Sequence, residues 1–281
     1  MDATTHLTLT ILVAVLLAAC GCNPAKDALT AHSGDSDFHA AHTLSDKPVT
    51  GLRGEEVRFE VDGDPNGGRG YWVATEEDPD RVVVVIHEWW GLNDYVRKVA
   101  DEYAAAIGGA ALAIDLYEGK VATDAAQAGE YMRAVDTDRA NKVVQGALAV
   151  LRNGGLAKDA KLATVGFCFG GGWSHRTAIL GGDAVKACVI YYGQPVTDQG
   201  ELAKLRAPVL MVWPTKDQWI NKAMVDGFKE AMEKAGKTLT VEAYEADHAF
   251  SNPSSKAYDN EDAKDAFAKA TGFMKSALGG S

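Results

Sequence analysis

Between Asp78-Pro79-Asp80 and His87 the chain runs Arg81-Val82-Val83-Val84-Val85-Ile86, and from Val82 to Ile86 it is an unbroken apolar stretch with no polar position on either face of a strand. A strand with one face in water alternates apolar and polar residues. A strand without alternation is covered on both sides, which is the situation of an interior strand in a parallel sheet flanked by helices. The rest of the chain is consistent with that reading. From Glu55 onward, β-rich runs at 56–61, 70–74, 81–87, 110–115, 162–166, 185–191, 208–214 and 239–244 alternate with helical periodicity at 94–107, 125–151, 172–180, 222–234 and 256–277. The first two runs read as an opening hairpin around 62–68, and the remainder as successive βαβ units. The expected architecture over 51–281 is one α/β domain, a mostly parallel central sheet flanked by helices, with no internal repeat.

Charge and glycine placement narrow the function. The chain carries 28 Lys+Arg against 39 Asp+Glu, a formal charge of −11, and is 47% hydrophobic. That excludes a disordered chain and argues against nucleic acid as a partner, because phosphate binding needs a basic face. No Gly-x-Gly-x-x-Gly follows the first strand and no Gly-Lys-Ser/Thr occurs, so a nucleotide lacks its phosphate cradle. No cofactor is expected. The four cysteines, at positions 20, 22, 168 and 188, are too few and too scattered for a disulfide framework or a paired-cysteine zinc site.

The N-terminus reads as an export signal over 1–19. Positions 3–25 carry no charged residue apart from His6, and the apolar stretch from Leu7 to Ala19 is too short to span a bilayer, which needs about 20 residues, but suits a signal-peptide core. Leu17-Ala18-Ala19-Cys20 resembles a bacterial lipoprotein signal, in which cleavage precedes the cysteine and Cys20 carries the lipid; Asp2 and His6 replace the usual positive front. An ordinary secretory signal or a short membrane-dipping helix is the alternative. Residues 20–50 show no sustained period and read as a flexible linker, with His32, His39 and His42 as solvated linker residues rather than metal ligands. The expected location is the export side of a bacterial membrane, reached through the anchor at Cys20.

The chemistry concentrates after the 162–166 strand, in Gly166-Phe167-Cys168-Phe169-Gly170-Gly171-Gly172. Gly-x-nucleophile-x-Gly between a strand and a helix is a nucleophile elbow, here with Cys in place of Ser. Its glycines give room for a strained turn, and the helix that follows aims its positive end at the thiolate. A thiol nucleophile needs a base and a carboxylate to orient that base. His248, beyond the 239–244 strand, and Asp217, beyond the 208–214 strand, both fall past strand C-termini, where open α/β sheets place their ligands. Their chain order, Cys then Asp then His, is that of α/β-hydrolase triads. Asp247 is the rival orienter. Glu88, directly after the fully apolar strand, is costly to bury alone and reads as an active-site carboxylate. Backbone N–H groups of Trp89 and Phe169 are the expected oxyanion donors. Trp90, Trp213 and Tyr117 are candidate pocket walls. The His87-Glu88-Trp89-Trp90-Gly91 segment has no second His at i+4, so a zinc-protease site is not expected.

Together, His87-Glu88-Trp89-Trp90-Gly91, Ile114-Asp115-Leu116-Tyr117, Gly166-Phe167-Cys168-Phe169-Gly170-Gly171, Asp217 and Asp247-His248-Ala249-Phe250 resemble the dienelactone hydrolase family, over about 55–278. The resemblance implies the α/β-hydrolase fold, Cys168 as nucleophile, His248 as base, Asp217 as orienting acid and Glu88 as the carboxylate that holds or deprotonates the resting thiol. It departs from the family at Asn252, where members acting on dienelactone carry an Arg that grips the substrate carboxylate. It departs again between Tyr117 and Met132, where Lys120 is the lone cation. The expected activity is hydrolysis of a small-molecule ester, lactone or thioester, with neutral substrates favoured. The alternative is a degenerate hydrolase fold serving as a membrane-tethered binding protein.

Overall fold

The computed structural model describes residues 28–44 and 48–279. The expected signal segment 1–19 and the expected lipidation site Cys20 lie outside them. Among the described residues eight strands form one sheet: β1 (Glu55–Val61), β2 (Asp64–Ala74), β3 (Arg81–Ile86), β4 (Ala110–Ile114), β5 (Lys161–Phe167), β6 (Val185–Tyr191), β7 (Val209–Pro214) and β8 (Leu239–Tyr244), in the order β1-β2-β4-β3-β5-β6-β7-β8. β1 and β2 form an antiparallel hairpin, β2 meets β4 antiparallel, and every other pairing is parallel. The hairpin turn is tighter than expected: Val61 already faces Asp64, with Gly63 taking a φ of 69°. β3 sits between β4 and β5, and Val82 through Ile86 are fully buried. The unbroken apolar run therefore occupies an interior strand, as its composition requires.

Helices α3 (Asp94–Ile107), α4 (Ala125–Arg133), α5 (Thr137–Arg152), α6 (Phe169–Gly181), α7 (Gln199–Leu202), α8 (Lys222–Lys234) and α9 (Asn260–Leu278) follow the strands. The single helical period expected over 125–151 is two helices. Asp136 ends the first run by accepting the N–H of Arg139 and capping α5, which is where a short carboxylate competes best with the helix backbone. α9 begins four residues later than the periodicity suggests, because Ser255 Oγ accepts the Ala257 N–H in a local turn and Asp259 then caps the helix.

The linker expectation is corrected within 28–44. Two short helices, α1 (Ala28–His32) and α2 (Ser36–Ala41), dock on the domain. Leu29 and Phe38 are fully buried, and Ser33 and His42 nearly so. Arg133 donates to Ser33 Oγ (2.8 Å), and Thr43 Oγ1 donates to the Ser254 carbonyl (3.1 Å), so the segment is tied to α4 on one side and to the loop after His248 on the other. One aromatic residue in a polar stretch produces no periodic signal, yet burying it contributes about 2 kcal/mol or more.

Candidate active site

Cys168 stands between β5 and α6 with φ 54° and ψ −121°, a conformation that costs an L-residue of order 1–3 kcal/mol and persists only where the surroundings impose it. The flanking glycines are what permit it. A Cβ on Gly166 would land on the Gly170 carbonyl oxygen, and one on Gly170 would land on the carbonyls of Ile86 and His87. The elbow thus locks against the end of β3, and the Cys168 N–H donates to the Tyr191 carbonyl of β6 (3.0 Å). Phe169 is the first residue of α6, so its N–H belongs to the first turn, whose amides have no acceptor within the helix.

The acid–base pair is built from two loops. His248 Nδ1 donates to Asp217 Oδ2 at 2.6 Å, with both side chains buried. The other oxygen of Asp217 accepts the N–H groups of Trp219 and Ile220, each at 2.9 Å. Three donors hold this carboxylate and fix the imidazole with Nε2 turned inward. Asp247 is exposed, which settles the choice of orienter for Asp217.

Glu88 is 7% exposed and receives a hydrogen bond from Asn252 Nδ2 (2.6 Å). Burial pushes its pKa up to about 7, against the opposing pull of His248 and of hydrogen bonds from Asn252 and Tyr192. Near neutrality this carboxyl is therefore divided between acid and base forms, the condition a proton-exchanging group needs. A stability signature follows. Below the ordinary carboxyl pKa both folded and unfolded chains are protonated. As pH rises toward 7 the unfolded chain releases a proton that the folded chain retains, so folding weakens, by about 3 kcal/mol in full, and levels off above 7. Glu88→Gln keeps the acceptor for Asn252 and removes this loss. Its melting temperature should match wild type near pH 4 and exceed it at pH 8. A difference independent of pH would show that Glu88 is not a buried, raised carboxyl.

His87 is a structural clip. Its Nδ1 donates to the Glu88 carbonyl (2.6 Å) and its Nε2 accepts the Leu116 N–H (3.1 Å), joining the loop after β3 to the loop after β4. Asp115 holds that second loop by accepting the N–H groups of Tyr117 (2.8 Å) and Gly119. Tyr117 packs on His87 and Phe169, with ring centroids 4.6 and 5.6 Å apart, beneath the expected oxyanion loop. Trp90 lies against Trp89 at 4.9 Å. Trp213 donates through Nε1 to the Ile220 carbonyl (2.7 Å) and braces the Asp217 loop. The indole beside His248 is instead Trp219, at 5.4 Å. Sequence reasoning missed it, although its position two residues after the orienting acid is a usable signal. It also missed Tyr192, whose ring lies 5.0 Å from His248 and whose hydroxyl pairs with Ser251 at 2.6 Å.

The space over the nucleophile is filled by the chain itself. Phe38 wedges between Trp89 and Trp219, each at 5.0 Å and nearly perpendicular, and His42 Nε2 reaches to 3.7 Å from Cys168 Sγ. Cys168 is fully buried. An open groove of about 870 Å³ lies instead at the β1–β2 hairpin, lined by Arg58, Asp64 and Lys142 among others, and shares no residue with the triad.

A thiol on a strand-to-helix elbow, backed by a His–Asp pair at the ends of β8 and β7 in a sheet of this order, defines an α/β-hydrolase with a cysteine at the nucleophile position. The chain belongs to the dienelactone hydrolase family, whose profile matches residues 69–278. It is accordingly a hydrolase of the ester and lactone class, with Cys168, His248 and Asp217 arranged compatibly with a triad. It is 31% identical to "Protein usf" of Aquifex pyrophilus over 233 residues, covering 80% of this chain and 99% of that one. It is 32% identical to a Methylorubrum extorquens protein named "Putative carboxymethylenebutenolidase" over 252 residues, covering 84% and 85%. Among solved structures, a dienelactone hydrolase-like promiscuous phosphotriesterase, P91, from metagenomic libraries superposes with a TM-score of 0.70 at 22% identity, over 80% of this chain and 99% of that one. That last likeness bears on the fold.

Proposed function

We propose that this hydrolase cleaves neutral esters or lactones on the export side of a membrane. Cys168 attacks the carbonyl after losing its proton to Glu88 or His248, the N–H groups of Trp89 and Phe169 hold the oxyanion, and His248 activates water to release the acyl group. The observation that carries the substrate reading is Asn252. A carboxylate-bearing lactone, the kind of substrate named in the Methylorubrum relative's name, is best gripped by an Arg fork. Here the Asn252 amide is committed to Glu88 while its Oδ1 accepts from Ser254 N and Oγ. Lys120 is exposed and sits over Tyr131 at 5.5 Å. Trp89 packs on His42 at 4.8 Å and Trp219 on His248 at 5.4 Å, flat walls suited to an apolar or aromatic acyl group.

The expected result is a kcat/KM for a neutral methyl ester at least about tenfold above that for the matching free-acid lactone, the equivalent of one missing charge-assisted hydrogen bond of ~1.5 kcal/mol. Preference for the acid would overturn the substrate reading. Asn252→Arg is not expected to restore use of the acid, because the new guanidinium falls beside Glu88 and pairs with it first. The location has its own test. With Cys20 acylated, at ~0.8 kcal/mol per buried CH₂, the protein partitions with membranes and Cys20→Ala releases it to the soluble fraction. Wild-type protein extracted without detergent contradicts the anchor.

A further inference from the structure

Two imidazoles converge on one thiol. His42 donates through Nδ1 to the Phe38 carbonyl at 2.7 Å, which leaves Nε2 with its lone pair directed at Cys168 Sγ, 3.7 Å away. His248 donates through Nδ1 to Asp217, which leaves its Nε2 with a lone pair as well. A neutral thiol has a single proton, and one proton serves one acceptor at a time. Among the described residues, His248 Nε2 is buried with no hydrogen-bond partner, and an orphaned buried acceptor costs about 1–3 kcal/mol. Sulfur and the two imidazole ligand atoms lie within 4.8 Å of one another, all three residues buried. Zinc bonds of about 2.3 Å to sulfur and 2.0–2.1 Å to nitrogen, at a tetrahedral angle, set S and N about 3.6 Å apart, close to the Cys168–His42 separation. The far nitrogen of each ring is already held, one by a carbonyl and one by a carboxylate, the outer support that metal-binding histidines almost always have. Asp217 also brings a negative charge against the ligand set.

We propose that Cys168 Sγ, His42 Nε2 and His248 Nε2 form a binding site for a zinc-class divalent cation, and that the bound cation clamps residues 36–42 over the nucleophile and silences the hydrolase. The donor set of one thiolate and two imidazoles suits this class and disfavours magnesium and calcium, which take oxygen. Binding exchanges a proton for the metal. The S–H bond breaks, the proton leaves to solvent, sulfur and both nitrogens each donate a pair to the cation, and a water takes the fourth position; nothing is oxidised or reduced. The silencing half of the proposal rests on the reading of Cys168 as nucleophile, whereas the binding half does not.

The test uses the full chain with Cys20 and Cys22 replaced by Ser, stripped with chelator, and titrated with zinc chloride against a chromophoric competitor. Wild type is expected to bind one zinc per chain. His42→Ala should weaken binding by about 100-fold or more, since removing a ligand exceeds the ~10–100-fold cost of removing an outer partner. Cobalt(II) should give a thiolate charge-transfer band that is absent in Cys168→Ala. Ester hydrolysis should fall in step with zinc occupancy, return on adding chelator, and resist zinc in His42→Ala. Equal zinc affinity in wild type and His42→Ala, or no stoichiometric binding to wild type, overturns the proposal while leaving the hydrolase reading intact. His42-dependent zinc binding in a protein with no ester or lactone hydrolysis upholds the site and removes the hydrolase reading.

Discussion

Cys168→Ala is expected to reduce kcat for ester hydrolysis by about 10⁴-fold or more, leaving only the residue of catalysis that binding and the oxyanion donors provide. The substitution removes the sulfur and keeps the Cβ. The φ of 54° that Cys168 already tolerates is no harder for Ala, and the glycines that make room for the elbow are untouched. Folding should therefore survive, and a circular dichroism spectrum and melting curve alongside the kinetics separate loss of chemistry from loss of structure. Activity within about tenfold of wild type in the folded variant, well short of the loss expected of a triad member, would place the nucleophile elsewhere.

The second large effect concerns access. Sγ is fully buried beneath Phe38 and His42, so residues 36–42 must lift before any acyl group reaches it. Phe38→Ala removes the ring that sits between Trp89 and Trp219. Buried Phe→Ala costs 3–5 kcal/mol, and since the docked and lifted forms differ mainly in this burial, about 3 kcal/mol of it falls on the docking equilibrium and raises the lifted population about 100-fold. Alkylation of Cys168 by iodoacetamide should accelerate by that factor, a readout independent of substrate. Cys188 is the internal control. It is fully buried and its thiol is pushed up to about 11 by burial, so it stays unlabelled unless the whole domain opens. An unchanged Cys168 rate in Phe38→Ala would mean that the segment does not gate the site.

What the sequence revealed and what it hid follow from the range of the forces involved. The elbow was legible because its requirement is local: Gly166 and Gly170 are needed where a Cβ would strike neighbouring backbone. The unbroken run at 81–86 likewise places itself, since no other environment suits five consecutive buried aliphatic residues. Asp217 and His248 were legible through strand ends and chain order. The docking of 28–44 was not. It depends on Phe38 meeting Trp89 and Trp219, residues 51 and 181 positions away in the chain, and α2 has only six residues, too few to show a period or to be stable alone. Trp213 and Trp219 were interchanged for a related reason. Which of two indoles in neighbouring turns faces a cavity is decided by the path of the loop that Asp217 organises, and the pattern of apolar residues does not encode that path.

The docked segment also changes what an affinity measured on this protein means. A molecule entering the site competes with a peptide that belongs to the same chain and cannot diffuse away. Its apparent dissociation constant is the intrinsic one divided by the fraction of molecules in which the segment has lifted. If one molecule in about a hundred is lifted, an inhibitor selected against a domain trimmed to begin at residue 51 will lose about 100-fold in potency on the full chain, with no change in any contact it makes. The most effective compounds against the intact protein need not be those that fill the cleft best; a ligand that seats beside Phe38 and stacks on what it leaves exposed avoids that competition.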